Sequence, residues 1–231
     1  MSKRAIILAG GEGTRLKPYT LSMPKPLVPI GEKPILEIII SQLVENGFNH
    51  ITMTINYLAD MIKAIIGDGS KWGIKIDYSL EKIALSTMGP MGLIDNLPKN
   101  FLIVNGDVLT DLDYSTFYDY HCEQSSIFTI SSFIRSVKND YGVLEVNKNR
   151  SLTNFKEKPV SKHEVSMGVY CANREILNYI PTNKYYGFDD LMLNLINKNI
   201  TVKVKRHSGY WLDIGRPEDY ERACKDSKKF L

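Results

Sequence analysis

A chain of 231 residues is about one and a half times the roughly 150 of a typical domain, and 43% hydrophobic with 24% charged residues is ordinary globular composition, which excludes collagen, coiled coil and disorder. Against 26 acidic residues stand 29 basic ones, a formal net charge of +3 with no basic block, which argues against a nucleic-acid partner. No apolar run reaches the ~18 residues of a membrane span, Ala5–Ala9 is shorter than the ~7–15 of a signal-peptide core, and Cys122, Cys171 and Cys224 lack disulfide or zinc spacing. The expectation is a soluble cytoplasmic protein in a reducing compartment, with no membrane partner.

Short β-branched runs alternate with longer stretches of helical period, the sequence form of a parallel sheet covered by helices. Ala5–Leu8 reads as the first strand and runs into a glycine-rich turn. Over Ile35–Glu45, Ile35, Leu36, Ile39, Ile40 and Leu43 share one side of a helix that Gly47 can close in the left-handed conformation. Ile51–Ile55 is the next strand, Asp60–Ile66 a short helix, Ile74–Tyr78 a third strand, and Phe101–Val104 a fourth that ends in Asn105-Gly106-Asp107. A helix over Tyr114–Glu123 follows. From Ile127 the pattern changes: Ile127–Phe133, Gly142–Val146 and Leu152–Glu157 are strands joined by turns such as Asn147–Asn149, which predicts an antiparallel patch at the sheet edge. Strand Val165–Cys171, helices near Glu175–Tyr179 and Asp189–Asn197, strand Thr201–Lys205 and a helix opening at Pro217 complete the chain. The fold class is therefore α/β: a three-layer sandwich around a mostly parallel, Rossmann-like mixed sheet, in one unit without linker or repeat.

The turn after the first strand, Gly10-Gly11-Glu12-Gly13-Thr14-Arg15, is suited to anions, because glycines let the backbone approach a ligand and aim N–H groups at phosphate oxygens. It lacks the third glycine and the acidic residue of a dinucleotide fingerprint, and no Gly-Lys-Ser/Thr follows as in a P-loop. A plain turn would explain each glycine alone. Arg15 and Lys25, the latter in Pro24-Lys25-Pro26 where the prolines are expected to hold it extended, add a rigid charged fork and a compact point charge, the pair a triphosphate requires.

The run Leu8-Ala9-Gly10-Gly11-Glu12-Gly13-Thr14-Arg15-Leu16-Lys17-Pro18, followed by Pro24-Lys25-Pro26-Leu27, resembles the signature of the sugar-1-phosphate nucleotidylyltransferases, the nucleotide-sugar pyrophosphorylases that include mannose-1-phosphate guanylyltransferases and glucose-1-phosphate thymidylyltransferases. The resemblance implies that Leu8, Ala9, Gly10, Gly11, Gly13 and Thr14 bind a nucleoside triphosphate and that Arg15 and Lys25 stabilise the transferring phosphates. Glu81 to Pro90 is similar to the family's base-recognition segment, with Glu81, Thr87 and Gly89 in the matching positions and Ser86 and Met88 as departures. Asn105-Gly106-Asp107 matches its metal-binding aspartate, and Tyr210-Trp211-Leu212-Asp213 its second metal carboxylate. Tyr141-Gly142, Glu157-Lys158-Pro159 and Val165-Ser166-Met167-Gly168 resemble the sugar-phosphate half, with Ser166-Met167 where Asn-Ala is commoner. The implied fold is that of the nucleotide-diphospho-sugar transferases, with a nucleotide half over about 1–112 and a sugar-phosphate half over about 113–231.

Two carboxylates from separate strand ends can meet over the carboxyl edge of a parallel sheet, and Mg²⁺ is often held by such a pair with phosphate oxygens and waters. Asp107 and Asp213 are that expected pair. Asp111-Leu112-Asp113 also spells an acidic doublet, but Asp113 is better read as a helix cap. Glu157 and Lys158 point to opposite faces of an extended strand unless it twists; with a twist, Glu157 can accept from sugar hydroxyls and Lys158 can reach the sugar phosphate. The four histidines share no ligand spacing, and Trp72 and Trp211 read as packing residues, Trp211 beside Asp213. Glu81 offers a carboxylate to the N1–H and N2–H₂ donors of guanine, which favours GTP with a mannose or heptose 1-phosphate over dTTP or UTP with glucose 1-phosphate. A cytidylyltransferase of a small phosphorylated alcohol, and a silent nucleotide-sugar sensor, are the rival readings. Without a long tail, no β-helix extension is expected; a homodimer is compatible with the sequence.

Overall fold

The computed structural model describes residues 3–229. In chain order it holds β1 (Lys3–Leu8), a small hairpin β2 (Pro29–Ile30) and β3 (Lys33–Pro34), α1 (Ile35–Glu45), β4 (Phe48–Ile55), α2 (Ala59–Ile66), β5 (Lys75–Leu80), β6 (Asn100–Asn105) and β7 (Val108–Thr110). The chain continues with α3 (Tyr114–Gln124), β8 (Phe128–Lys138), β9 (Val143–Val146), β10 (Leu152–Lys156), β11 (Val160–Asn173), α4 (Phe188–Asn197), β12 (Val202–His207), β13 (Trp211–Asp213) and α5 (Pro217–Lys225). Seven strands form the central sheet in the order β12-β8-β11-β6-β1-β4-β5.

Strand β1 shows why both faces must be covered. Of its four buried central residues, Ala5, Ile6 and Ile7 form the apolar run expected in a parallel sheet, and the buried Arg4 donates to Thr52 Oγ1. Side chains alternate across a strand, so Ala5 and Ile7 enter the core shared with α1 and α3, whereas Ile6 enters the opposite core with Leu191 and Leu195 of α4. Burying an aliphatic side chain of this size contributes about 1.5–3 kcal/mol, so each layer is held by many such terms. Gly47 closes α1 at φ 80°, as its position predicts.

Several sequence expectations shift. The antiparallel patch is not at the sheet edge. β11 lies inside the sheet, antiparallel to both β6 and β8, while edge strand β12 runs parallel to β8. The cause is a long hairpin: β8 leaves the sheet, β9 and β10 form its tip, and β11 returns between β8 and β6. The segment expected as a helix near Glu175–Tyr179 is a 3₁₀ turn over Arg174–Tyr179, ended because Ile180 precedes Pro181 and is extended. Lys25 is likewise not extended. It opens a 3₁₀ turn, Lys25–Leu27, for which Pro26 supplies a suitable fixed φ.

Two departures from regular sheet shape the ground around the strand ends. β13 pairs antiparallel with β7, setting Asp213 opposite Val108, and the Ile214 amide donates to the Asp107 carbonyl at 3.1 Å. In β11 the register with β8 runs from Ser166 opposite Ser132 to Tyr170 opposite Ile130, so β11 carries extra residues there and bulges. Gly168 lies in that bulge at φ 77°, and a Cβ on it would stand 2.6 Å from Asn105 Nδ2, so both backbone and contact require glycine.

Candidate active site

At the carboxyl ends of β1, β4 and β6 the loops that follow leave two adjoining cavities, of about 370 Å³ and about 260 Å³, which share Leu8, Gly11 and Asp107. This is where open α/β sheets bind their ligands. The loop after β1 is anchored on both sides, with the Gly106 amide on the Leu8 carbonyl and the Ala9 amide on the Thr54 carbonyl, each at 2.9 Å. A Cβ on Gly10 would meet Glu81 Oε1 at 2.6 Å, so glycine here lets a carboxylate come up against the loop.

The smaller cavity is lined by Gly11, Gly13, Thr14, Arg15, Lys25 and Asp107. Lys25, only 8% exposed, pairs its ammonium with Asp107 Oδ2. Asp107 Oδ1 is buried and has no hydrogen-bond partner among the described residues. The Arg15 guanidinium reaches to 3.6 Å from where a Gly215 Cβ would be, on the same side as the Asp213 carboxylate. Burial, and then repulsion from Asp107, push the Asp213 carboxyl up, against the opposing pull of Lys25 and Arg15. A buried carboxyl pushed up beside a second carboxylate that has an orphaned oxygen makes a site short of positive charge. No cluster of three or more metal-ligating side chains forms among the described residues. Magnesium does not need one, since one or two carboxylates with substrate phosphates hold it, and the donor chemistry of Asp107 and Asp213 fits that ion.

The larger cavity is lined by Glu81, Ser86, Thr87, Asn56, Asn105 and Tyr185, among others. Glu81 is 6% exposed, and its Oε2 accepts from the Leu85 amide at 3.1 Å while its carbonyl accepts from Asn56 Nδ2 at 2.9 Å. Burial raises its pKa, and the Leu85 bond opposes the rise. Thr87 faces the cavity with its hydroxyl already engaged, accepting from the Phe188 amide at 2.8 Å. Gly89 does not line the cavity. Its amide donates to the Tyr186 carbonyl at 2.9 Å, fastening the 184–186 segment that carries Tyr185 to the mouth. Sequence reasoning missed Asn56, Asn105 and Tyr185 as lining residues. Asn56 and Asn105 sit at strand ends facing the glycine loop, a signal that could have been used; Tyr185, far away in sequence and in an irregular segment, offered none.

The residues expected to meet a sugar phosphate fall into two groups. Ser166 and Gly168 lie at the bulge, where Ser166 Oγ donates to the Tyr170 hydroxyl at 3.1 Å and accepts from the Gly168 amide at 3.3 Å. Tyr141, Gly142, Glu157 and Lys158 lie on the hairpin arm, all exposed. Gly142 rests against Glu157 and the Phe155 ring, and the strand turns at Lys158, whose φ is 43°. Among the described residues no hydrogen bond or ion pair ties Glu157 or Lys158 to Asp107 or Asp213. The histidines stay outside the site: His121 is buried against Thr129, His50 pairs with Asp77 and His207 with Asp111. Asp113 caps α3 by accepting from the Thr116 amide at 2.7 Å, and Asp111 holds His207 and the Tyr210 amide. Trp211 packs on Phe133 and donates to the Met167 carbonyl at 2.9 Å, tying the segment before Asp213 to the bulge.

A family model described as nucleotidyl transferase matches residues 4–229. Among curated proteins, a UTP-glucose-1-phosphate uridylyltransferase of Synechocystis sp. is 30% identical over 96% of this chain and 62% of its own length. The mannose-1-phosphate guanylyltransferase catalytic subunit beta of Drosophila melanogaster is 31% identical over 94% of this chain and 60% of its own. The chain thus spans about three fifths of the length of these relatives. Among solved structures, HddC from Yersinia pseudotuberculosis complexed with GMP-PN superposes with a TM-score of 0.74 at 29% identity, over 97% of this chain and 99% of that one.

Proposed function

The chain belongs to the nucleotidyl transferase family, and from that premise we propose that it transfers a nucleoside monophosphate from an NTP to a sugar 1-phosphate, releasing pyrophosphate. The observation that carries this reading is the pairing of β7 with β13. It brings Asp213 beside Asp107, which lines both adjoining cavities and has an orphaned second oxygen, while Lys25 and Arg15 line the smaller of the two.

A phosphate oxygen of the sugar 1-phosphate attacks the α-phosphorus, the bond to the β-bridging oxygen breaks, and its electron pair leaves on pyrophosphate. The nucleophile is already ionised, so no covalent enzyme intermediate or general base is required. The task of the chain is positioning and charge compensation. Lys25, buried and held on Asp107, stands where the reacting phosphorus would come, and Arg15 forks onto the leaving phosphates. Asp107 and Asp213 would hold Mg²⁺, which when bound supplies charge neutralisation and template geometry for the phosphates. We read residues up to about 112 as the half that takes the nucleotide and the remainder as the half that takes the sugar phosphate, with Tyr141, Gly142, Glu157 and Lys158 approaching from the arm and Ser166 and Gly168 from the bulge.

For the base, the buried Glu81 carboxylate supports guanine, whose N1–H and N2–H₂ are donors. We therefore place GTP first, with mannose or heptose 1-phosphate as acceptor. The three cysteines are free thiols, in keeping with the reducing cytoplasm to which we assign the protein. The test is pyrophosphate release with four NTPs against mannose, glucose and heptose 1-phosphates and against phosphocholine as a small phosphorylated alcohol. Turnover with GTP and one of these acceptors is expected; turnover only with CTP and a phosphorylated alcohol, or none with any pair, contradicts the reading.

A further inference from the structure

On the α4 face of the sheet a third cavity, of about 680 Å³, opens between β8, β11, β12 and α4. It is nearly twice the size of the cavity beside Glu81, yet a sugar ring is smaller than a nucleoside. Its interior is apolar, formed by Ile130, Val165, Phe188, Met192 and Val204, and its polar groups are Ser132, Glu164, Ser166 and Arg206. Register places three of these in one row: Arg206 stands opposite Ser132 on one side, and Ser166 opposite Ser132 on the other. Two residues along β11 from Ser166, Gly168 in the bulge lies against Asn105, which lines the cavity that also holds Asp107. Phe188 joins the two spaces as well, with its amide on the Thr87 hydroxyl and its ring stacked on Tyr170 at 4.7 Å.

Arg206, its side chain 58% exposed, is oriented by a two-pronged contact with Glu164. Glu164 Oε1 accepts from its Nε at 3.1 Å and from Ser132 Oγ at 2.7 Å, and Oε2 accepts from its Nη2 at 2.7 Å. This fork leaves Nη1 to donate elsewhere. The Glu164–Arg206 pair cancels in charge, so the cavity offers an uncharged ligand apolar walls and the N–H groups of Arg206 that Glu164 leaves free, those of Nη1 among them.

We propose that this cavity receives the end of the acceptor remote from its reacting phosphate, and that Arg206 selects sugar 1-phosphates bearing an uncharged, oxygen-containing extension, a longer hydroxylated side chain or an acyl group, over plain hexose 1-phosphates. This rests on the transferase reading above. The acceptor runs from Asn105 past Ser166 to Ser132, and Arg206 Nη1 donates to the oxygen of the extension.

The experiment measures kcat/KM of the wild-type protein for mannose, glucose, heptose and N-acetylglucosamine 1-phosphates at saturating NTP, and repeats it with Arg206→Ala and with Val204→Trp, which fills the cavity. The expected result is a preference of at least about tenfold for one extended acceptor, carried by its KM. Arg206→Ala lowers that preference by about ten- to a hundredfold, the range for a hydrogen bond to a charged group, and Val204→Trp shifts it toward the plain hexose, with the KM for the NTP as internal control. Turnover in which plain hexose phosphates are used as well as extended ones, or a preference that neither substitution alters, overturns the inference and leaves the transferase reading standing. Absence of turnover with every NTP and acceptor overturns both.

Discussion

The loop after β1 and the hairpin arm of β9 and β10, the two regions proposed to meet the substrates, hold their polar groups in opposite ways. Around the loop, Lys25 and Glu81 are buried and each is fixed by a partner, Lys25 by Asp107 from a distant element and Glu81 by the Leu85 amide four residues on. On the arm, every residue of β10 is exposed, and its charged pairs, such as Lys156 with Glu145, are surface pairs worth little. The loop side is thus pre-organised by the core, whereas the arm is shaped by its own ladder and by the strands that carry it. Preorganised charge is what stabilises a transition state, so the catalytic cost of mutation should concentrate at the loop and the stability cost at the seams beneath it.

The largest expected effect is at the loop. Lys25→Ala and Arg15→Ala should each lower kcat by about 10²–10³, the usual loss for one preorganised donor, in a steady-state pyrophosphate assay. Wild-type turnover in either would remove the loop from catalysis. Next, Asp213→Asn should raise the Mg²⁺ concentration for half-maximal activity by at least about tenfold, since loss even of a ligand's outer partner costs that much. Because burial and Asp107 raise the Asp213 pKa, the proton competes with the cation as pH falls, and apparent Mg²⁺ affinity in the wild type should weaken toward acid pH.

Stability sharpens the contrast from the other side. Gly168→Ala forces a Cβ into Asn105 at positive φ and should cost about 1–3 kcal/mol in denaturant unfolding. His121 tests the seam between α3 and β8. Burial depresses its pKa from 6.5 to about 4, so the folded protein holds it neutral while the unfolded chain takes up a proton. Stability is therefore fully present above about pH 6.5 and falls by about 1.4 kcal/mol per unit as pH drops toward 4; in His121→Gln this part of the slope should vanish. The smallest effect is on the arm: Leu152→Ser, at a position 60% exposed, should change stability by no more than about 0.5 kcal/mol. A cooperative loss of structure there would show that the arm is part of the core after all.

Much of the fold is legible in the residues alone. Ile35, Leu36, Ile39, Ile40 and Leu43 announce α1, and all five are buried, because a helix facing a sheet must repeat its apolar residues at helical period. The meeting of Asp107 with Asp213 is legible only as a resemblance, since the β7–β13 pairing joins residues more than 100 positions apart and no local signal encodes it. The direction of β11 is hidden because strand order inside a sheet depends on which edge a returning hairpin finds, and its apolar run, Val169 to Ala172, reads the same parallel or antiparallel. The row Arg206, Ser132, Ser166 is not visible at all: three strands in register bring together residues that sequence spacing keeps apart.

Under the proposed function, nucleotidyl transfer needs Asp107 and Asp213 together. Pyrophosphate release from GTP and an accepted sugar 1-phosphate, titrated with Mg²⁺ in the wild type and in Asp107→Asn, tests this most directly. Turnover that requires the metal in the wild type and is lost or displaced to much higher Mg²⁺ in the variant is the predicted result; a variant with the wild-type rate and the wild-type metal curve would contradict it.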